Sequence, residues 1–254
     1  MRLPFACATL VVIAFNADAQ TSDTVFVEVG SRVIDGSVFR PHAARVRVYR
    51  GDSLTAEWVN ELTLGDSAGR RVMRWVTTGV RVALVPNRPL TVLRQTYDAV
   101  TLAPLGYWST SSNGAFTQLA FDGTAVRGTR RVAGDTVVRR VDNLMPRLGF
   151  IAGASDLVPV AAGLKAGMVL VAPVWGPNMA APDDRVFVVM RDTLVTVEGT
   201  PVRAQKVEER RREDRSLTAN WYLLTESPYM VYGEVPLPDG RIQRMTEVAE
   251  PIRR

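Results

Sequence analysis

Short runs of alternating apolar and polar residues, separated by turn residues, dominate this chain from Thr24 to Val248. The run Arg45–Tyr49 alternates cleanly, and the dipeptide Asn113–Gly114 is typical of a tight hairpin turn. Turn signals of this kind recur about every 8–12 residues, which is the spacing found in β-sandwiches and β-barrels. The sequence therefore predicts an all-β fold whose strands pair antiparallel.

The last quarter of the pattern, Val186–Val248, predicts a meander of about four or five strands onto which the rest of the sheet pairs. We expect a tight turn at Asp192–Thr193. We also expect Pro201 to interrupt the ladder, because proline has no N–H to donate. The run Glu208–Arg215 carries both charge signs and no apolar face, which favours a solvated hairpin tip over a binding patch.

The final predicted strand, Arg241–Val248, alternates strictly. Its side chains divide between two faces, with Met245 and Glu247 on the same one. Such a strand can bury one face and leave the other in water.

One segment breaks the β pattern and predicts a short helix at about residues 155–164. Ser155 can cap its first turn. Its apolar residues fall at helical spacing: Leu157, Val160, Ala161 and Leu164. After it, Pro173–Pro182 is predicted as a loop, either a crossover connection or a lid. We therefore expect a strongly curved antiparallel sheet or an open β-barrel with one short helix.

The amino terminus predicts a signal peptide over residues 1–19. An apolar run follows Arg2, and Ala17-Asp18-Ala19 is an A-x-A cleavage site. Cys7 lies inside the apolar run rather than at its end, which argues against a lipoprotein anchor. Cleavage after Ala19 would leave residues 20–254 as a single antiparallel β domain with no cysteine and no transmembrane segment. We expect an exported protein of the periplasm or the extracellular space.

The composition suits a folded domain and disfavours nucleic-acid binding. Hydrophobic residues make up 46% of the 254 residues, enough to build a core. The formal net charge is +5, but only Lys165 and Lys206 are lysines. The arginines are scattered along predicted strands among acidic residues rather than gathered in one stripe, so no nucleic-acid partner is expected.

No catalytic or metal signature stands out. The only histidine, His42, follows Pro41 and is predicted to lie in a loop, and no serine has a G-x-S-x-G setting. Zinc lacks a ligand set, and Asp183–Asp184 has no surrounding calcium loop. We therefore expect no enzyme, no metal and no cofactor. A hydrolase with paired carboxylates stays open, because such pairs meet only in space.

The order of several short motifs resembles the bacterial domain of unknown function 3108 family, which consists of secreted β-rich proteins. The resemblance covers roughly Thr55 to Val248. It rests on these segments: Arg94–Asp98, Thr101–Pro104, Phe121–Gly123, the helix at Leu157–Leu164, Gly199–Val202, Lys206–Glu208, Trp221–Tyr222 and Pro238–Gly240. It also extends loosely to lipoprotein-carrier folds, whose curved sheet wraps a helix and shelters a lipid. The resemblance implies an envelope protein with a concave apolar face, and no functional residues.

Five tryptophans are the candidate ligand-binding residues. Core packing is one reading, and contact with an apolar ligand on a concave face is the other. They are Trp58, Trp75, Trp108, Trp175 and Trp221. The leading expectation is non-catalytic binding of a lipid-like or other apolar ligand in the cell envelope. The alternative is a structural or protein-interaction module of the envelope, whose partner would be an envelope protein.

Overall fold

The computed structural model describes residues 24–80 and 90–252. The predicted signal peptide, residues 1–19, and Cys7 within it lie outside the described residues. Within the described part of the chain, no helix has the length and apolarity needed to cross a bilayer.

Sixteen strands and one short α-helix, α1, account for most of the described residues, with 3-10 turns at Gly36–Val38 and Ala152–Ala154. The elements are β1 Thr24–Phe26, β2 His42–Arg50, β3 Ser53–Ser67, β4 Arg70–Val80, β5 Thr91–Asp98, β6 Pro104–Ser111, β7 Phe116–Asp122, β8 Ala125–Arg131, β9 Arg139–Leu144, β10 Phe150–Ile151, α1 Leu157–Ala161, β11 Val169–Trp175, β12 Asp183–Val197, β13 Thr200–Arg211, β14 Leu217–Leu223, β15 Met230–Pro236 and β16 Ile242–Glu250.

All of these strands belong to one sheet, in the order β1-β11-β12-β13-β14-β15-β16-β2-β3-β4-β5-β6-β7-β8-β9, with β10 also paired to β11. Neighbours are antiparallel except for β1 and β10, which both run parallel to β11. The sheet is not closed, because β1 and β9 remain its ends. The predicted all-β, curved antiparallel fold is confirmed.

The sheet consists of two meanders, β2 to β9 and β11 to β16, joined where β16 pairs with β2. The predicted carboxy-terminal meander is therefore correct, and its final strand lies inside the sheet. Residues from both meanders pack into one core around α1, including Leu62, Met73, Phe187 and Leu223. Leu157, Val158 and Val160 of the helix belong to this core.

The short helix is confirmed and is buried along its whole length. The described helix covers Leu157–Ala161, preceded by the 3-10 turn at Ala152–Ala154. Asp156, not Ser155, occupies the N-cap position, and its side chain makes no capping hydrogen bond.

The predicted turn at Asp192–Thr193 is wrong. β12 runs through it with a register irregularity between Val189 and Asp192, and the chain reverses at Glu198–Gly199. Both of these residues have positive φ, 48° and 85°, as a two-residue hairpin turn requires. Pro201 does not interrupt the ladder either. It pairs with Thr196, and β13 meets β14 only from Gln205 onward, so no second neighbour needs its missing N–H.

Two further predictions were too broad. The predicted loop Pro173–Pro182 begins later, because β11 continues through Trp175. The predicted solvated tip Glu208–Arg215 is wrong in its first half, because β13 continues to Arg211. Backbone pairing with β12 and β14 holds those charged residues in the sheet, and Glu209 is the one among Glu208–Arg211 that is buried.

Candidate ligand-binding cavity

Three of the five candidate tryptophans lie around one cavity of about 240 Å³ on the concave side of the sheet. The cavity is partly open to solvent. Its walls come from both meanders and from the segment before α1: Val46, Trp58, Asn60, Trp75, Thr77, Leu93, Gly153, Asp156, Trp221, Met230, Met245 and Glu247. A larger depression of about 480 Å³ beside Ser67 and Arg70 is more open and has no aromatic or acidic side chain in its lining.

The other two candidate tryptophans lie elsewhere. Trp108 is half-buried, with the Arg94 guanidinium 4.8 Å from its ring centre. Trp175 is buried in a separate apolar cluster, and its Nε1 donates to the carbonyl of Met179 at 3.0 Å. Its ring meets Phe121 edge to face at 5.4 Å. Packing accounts for both residues without a ligand.

Strand register explains how the walls are brought together. Glu247 pairs with Val46, and Val46 pairs with Trp58, so the three side chains share one face of the sheet. On the other side, Gly233 pairs with both Trp221 and Met245. A Cβ at Gly233 would stand 3.0 Å from the Trp221 ring. The missing side chain therefore lets this indole lie flat against β15 at the cavity wall.

Two carboxyl groups face this largely apolar space. Glu247 is only 3% exposed, and its Oε1 has no hydrogen-bond partner among the described residues. Burial raises the pKa of Glu247 well above its usual range, and the charge of Asp156 raises it further, while the Asn60 side chain offsets part of the effect. Burial thus disfavours the charged form of Glu247.

Asp156 enters the cavity from the start of α1. Burial raises the pKa of Asp156 to about 7, and the charge of Glu209 adds to this, although backbone N–H groups nearby lower it in part. The cavity still exposes some of its surface, since the residue is half-buried rather than fully enclosed. Asp156 is thus the group here whose charge changes near neutral pH.

A third carboxyl, Glu209, fixes the wall behind the cavity. It is 6% exposed, and its Oε2 accepts hydrogen bonds from Trp221 Nε1 at 2.8 Å and from Ser155 Oγ at 3.3 Å. Arg185 lies 3.8 Å from its Oε1. These partners compensate the buried charge and hold the Trp221 ring in place.

The sequence prediction missed Glu209 because it stands in a charged run. A signal was nevertheless present, since Val207 is two residues away and shares its face of β13. Val207 is fully buried, so the alternation that turns it inward also turns Glu209 inward.

His42 is not in a loop, as predicted, but is the buried first residue of β2. Its ring packs edge to face against Trp75 at 5.9 Å and Tyr229 at 5.3 Å. Nδ1 lies 3.1 Å from the carbonyl oxygen of Arg40, to which its N–H donates. Burial lowers the pKa of His42, and the bond to Arg40 offsets part of that effect. The ring therefore packs as a neutral group behind the Trp75 wall.

Among the described residues, no cluster of three or more His, Cys, Asp or Glu side chains could hold a metal ion. Asp183 forms an ion pair with Arg185 at 3.1 Å. Asp184 forms ion pairs with Arg147 and Arg212. Both carboxylates that the sequence analysis weighed for calcium are thus paired with arginines.

Neither a protein-family model nor a curated protein sequence matches this chain. Among solved structures, it is similar to a beta-barrel-like protein of the domain of unknown function DUF1849 from Brucella abortus, with 12% sequence identity and a TM-score of 0.48. The similarity covers 82% of this chain and 95% of that chain. The likeness concerns β-rich architecture and carries no functional argument. The resemblance to the domain of unknown function 3108 family stays a prediction.

Proposed function

We propose that this protein is an exported, non-catalytic binding protein that holds a small apolar ligand between Trp58, Trp75 and Trp221. The observation that supports this is the cavity itself. It measures about 240 Å³, is partly open to solvent and is bordered by three indoles and two carboxyl groups. Apolar walls with a few converging polar groups are typical of small-molecule sites.

The size of the cavity narrows the lipid-like class expected from the sequence. An apolar cavity of about 150 Å³ suffices for benzene, and drug-sized ligands need roughly 300–1,000 Å³. A space of about 240 Å³ suits a compact ligand or one end of a longer molecule, not an enclosed phospholipid. The partly open mouth would let the rest of a longer ligand remain outside.

Filling the cavity tests the proposal. Leu93 lines it on β5, while its neighbour Val92 faces the other side of the same strand. Leu93→Phe adds a ring inside the cavity, and Val92→Phe adds the same ring outside. With 2-phenylethanol as the probe, the wild type and Val92→Phe should gain thermal stability and show altered tryptophan fluorescence. A ligand at 100 times its Kd stabilises the folded state by about 2.7 kcal/mol.

Leu93→Phe should lose both responses. Equal responses in the two variants would place binding elsewhere. No response in the wild type, together with an empty organic extract of protein purified from its native host, would favour the interaction module. The exposed apolar side chains at the β9 end of the sheet would then be the first surface to examine, because an open edge can pair with a strand of another protein: Val137, Val138 and Leu144.

A hydrolase with paired carboxylates is the second candidate, because Asp156 and Glu247 face one tryptophan-lined cavity. A proton donor with a raised pKa beside a second carboxyl is the arrangement that glycoside hydrolysis uses. Release of nitrophenol from a panel of aryl glycosides tests it. Turnover that disappears in both Asp156→Asn and Glu247→Gln would replace the binding proposal, and no turnover would leave binding in place.

A further inference from the structure

Glu247 places a buried hydrogen-bond acceptor without a partner beside the cavity. Its side chain is buried, it lines the cavity, and its Oε1 has no partner among the described residues. An unpaired buried carboxyl oxygen forfeits the hydrogen bonds it would make in water. A ligand that donates a hydrogen bond to this oxygen would restore them. A hydrocarbon would leave the oxygen without a hydrogen bond.

The charged groups around Glu247 do not supply the missing hydrogen bond or a balancing positive charge. Asp156 enters from α1 and carries the same sign of charge, and Glu209 behind it is engaged by Trp221, Ser155 and Arg185. Tyr97 on β5 and His42 on β2 are buried neighbours of this region and add no positive charge at neutral pH. No lysine or arginine is among the described residues that line the cavity.

The indole rings that border the cavity favour a cationic ligand, as the two carboxyl groups do. The faces of indole rings attract cations through their π electrons, and tryptophan does so more strongly than the other aromatic side chains. Trp58, Trp75 and Trp221 all border the space that Glu247 and Asp156 face. Cations are commonly held in proteins by aromatic rings combined with a carboxylate.

We infer that the ligand is a small organic ammonium, a protonated amine carrying a compact apolar group, whose N–H donates to Oε1 of Glu247 among the three indoles. This inference rests on the proposed ligand-binding function and names the chemical class of the ligand. The apolar group fills the space beside Leu93 and Met245.

The binding step has a defined proton balance. The amine arrives already protonated. The Glu247 carboxylate pairs with the ammonium, and any proton that burial holds on Glu247 or Asp156 before binding passes to solvent. No covalent bond forms or breaks. Binding of the ammonium at pH 6 should therefore release protons to the buffer, whereas binding of a neutral analogue should release none.

The test compares 2-phenylethylammonium with 2-phenylethanol, which has the same ring and chain but no charge, by titration calorimetry at pH 6. The wild type should bind the ammonium at least about tenfold more tightly, the effect of one charge-assisted hydrogen bond. Glu247→Gln keeps the shape of the side chain and should abolish that preference while retaining the affinity for the alcohol. Glu250→Gln is the matched control, because Glu250 lies on the same strand but pairs with Arg45, outside the cavity lining, and the preference should persist.

The outcomes separate this inference from the proposed function. Equal affinity for the two probes in the wild type would overturn the inference and leave apolar binding intact. A preference that persists in Glu247→Gln would overturn it as well. Binding of neither probe would defeat both proposals. Calorimetry of the wild type in two buffers of different ionisation enthalpy needs no variant. Absence of proton release with the ammonium would refute its binding against the buried carboxyls even if Glu247→Gln failed to fold.

Discussion

Replacing Asp156 with asparagine should change how the stability of this protein depends on pH. The substitution keeps the size of the side chain but removes its titration. It breaks no helix cap, because Asp156 makes no side-chain capping hydrogen bond. Any change in the pH profile therefore reports on the charge of this group rather than on lost local structure.

The expected size follows from the pKa of about 7 in the folded protein and the ordinary value of 3.8. Below pH 3.8 the group is protonated in both states and has no effect. Between pH 3.8 and pH 7 only the unfolded state is ionised, so stability falls as pH rises. At about 1.36 kcal/mol for each pH unit the loss reaches about 4 kcal/mol, then stays constant. Contact with water in the cavity makes about 4 kcal/mol an upper value.

The assay is urea unfolding of the wild type and Asp156→Asn at intervals from pH 4 to pH 8. The variant should become more stable than the wild type as pH rises, with a difference of about 2–4 kcal/mol at pH 8 relative to pH 4. The quantity to compare is the difference in free energy of unfolding between the variant and the wild type at each pH, because Glu247 adds its own pH dependence to both proteins.

Asp98→Asn is the control of opposite sign. Partial burial raises the pKa of Asp98, but hydrogen bonds from Thr101 and Val100 outweigh this and the net pKa is lowered. Its stabilising effect is present above the ordinary pKa of 3.8 and is lost as pH falls below it, so this variant should be the less stable one at neutral pH. Parallel pH profiles for Asp156→Asn and the wild type would refute the assignment of a buried, pH-sensitive carboxyl.

Three other predictions concern the sheet, the cavity wall and processing. A chain ending after Gly240 lacks β16, the partner of both β15 and β2, and should unfold non-cooperatively and aggregate. A chain ending after Glu250 is the control and should do neither. If circular dichroism and size exclusion showed the Gly240 truncation to be cooperative and monomeric, this pairing would be less important than we infer. Gly233→Ala should lower the free energy of unfolding in urea by about 1–3 kcal/mol and shift tryptophan fluorescence, because its Cβ would lie 3.0 Å from the Trp221 ring. Gly106→Ala is the control and should be near neutral, because its Cβ would lie 3.7 Å from its nearest neighbour. Intact-mass measurement of exported protein should show a chain beginning at Gln20, and a retained leader or a lipid on Cys7 would contradict the predicted cleavage.

The strands and the helix were predictable because they depend on local patterns. Alternation identified β2 and β16, and helical spacing identified α1 although it is only five residues long. Errors arose where a local signal had two meanings. Asp192 and Thr193 suit a turn but also an irregular stretch of a long strand, and a charged run such as Glu208–Arg215 can pair on both sides if the sheet extends that far.

The cavity was less predictable because it depends on register between distant strands. The sequence placed Met245 and Glu247 on one face of β16, and both do line the cavity. It could not tell that this face turns inward, because the deciding neighbour, β2, lies early in the chain. The same limit applied to the tryptophans, of which Trp58, Trp75 and Trp221 meet only after both meanders are in place.

The pairing of β16 with β2 also has a consequence for the timing of folding. Glu250 lies opposite Ala43, about two hundred residues away in the chain, so the join between the two meanders is among the most non-local contacts possible in this fold. Each meander can form from near neighbours while synthesis proceeds, but the seam that unites them must wait until residue 250 has been made. The chain should therefore fold late and comparatively slowly, and until then each meander exposes the strand edge that will form the seam.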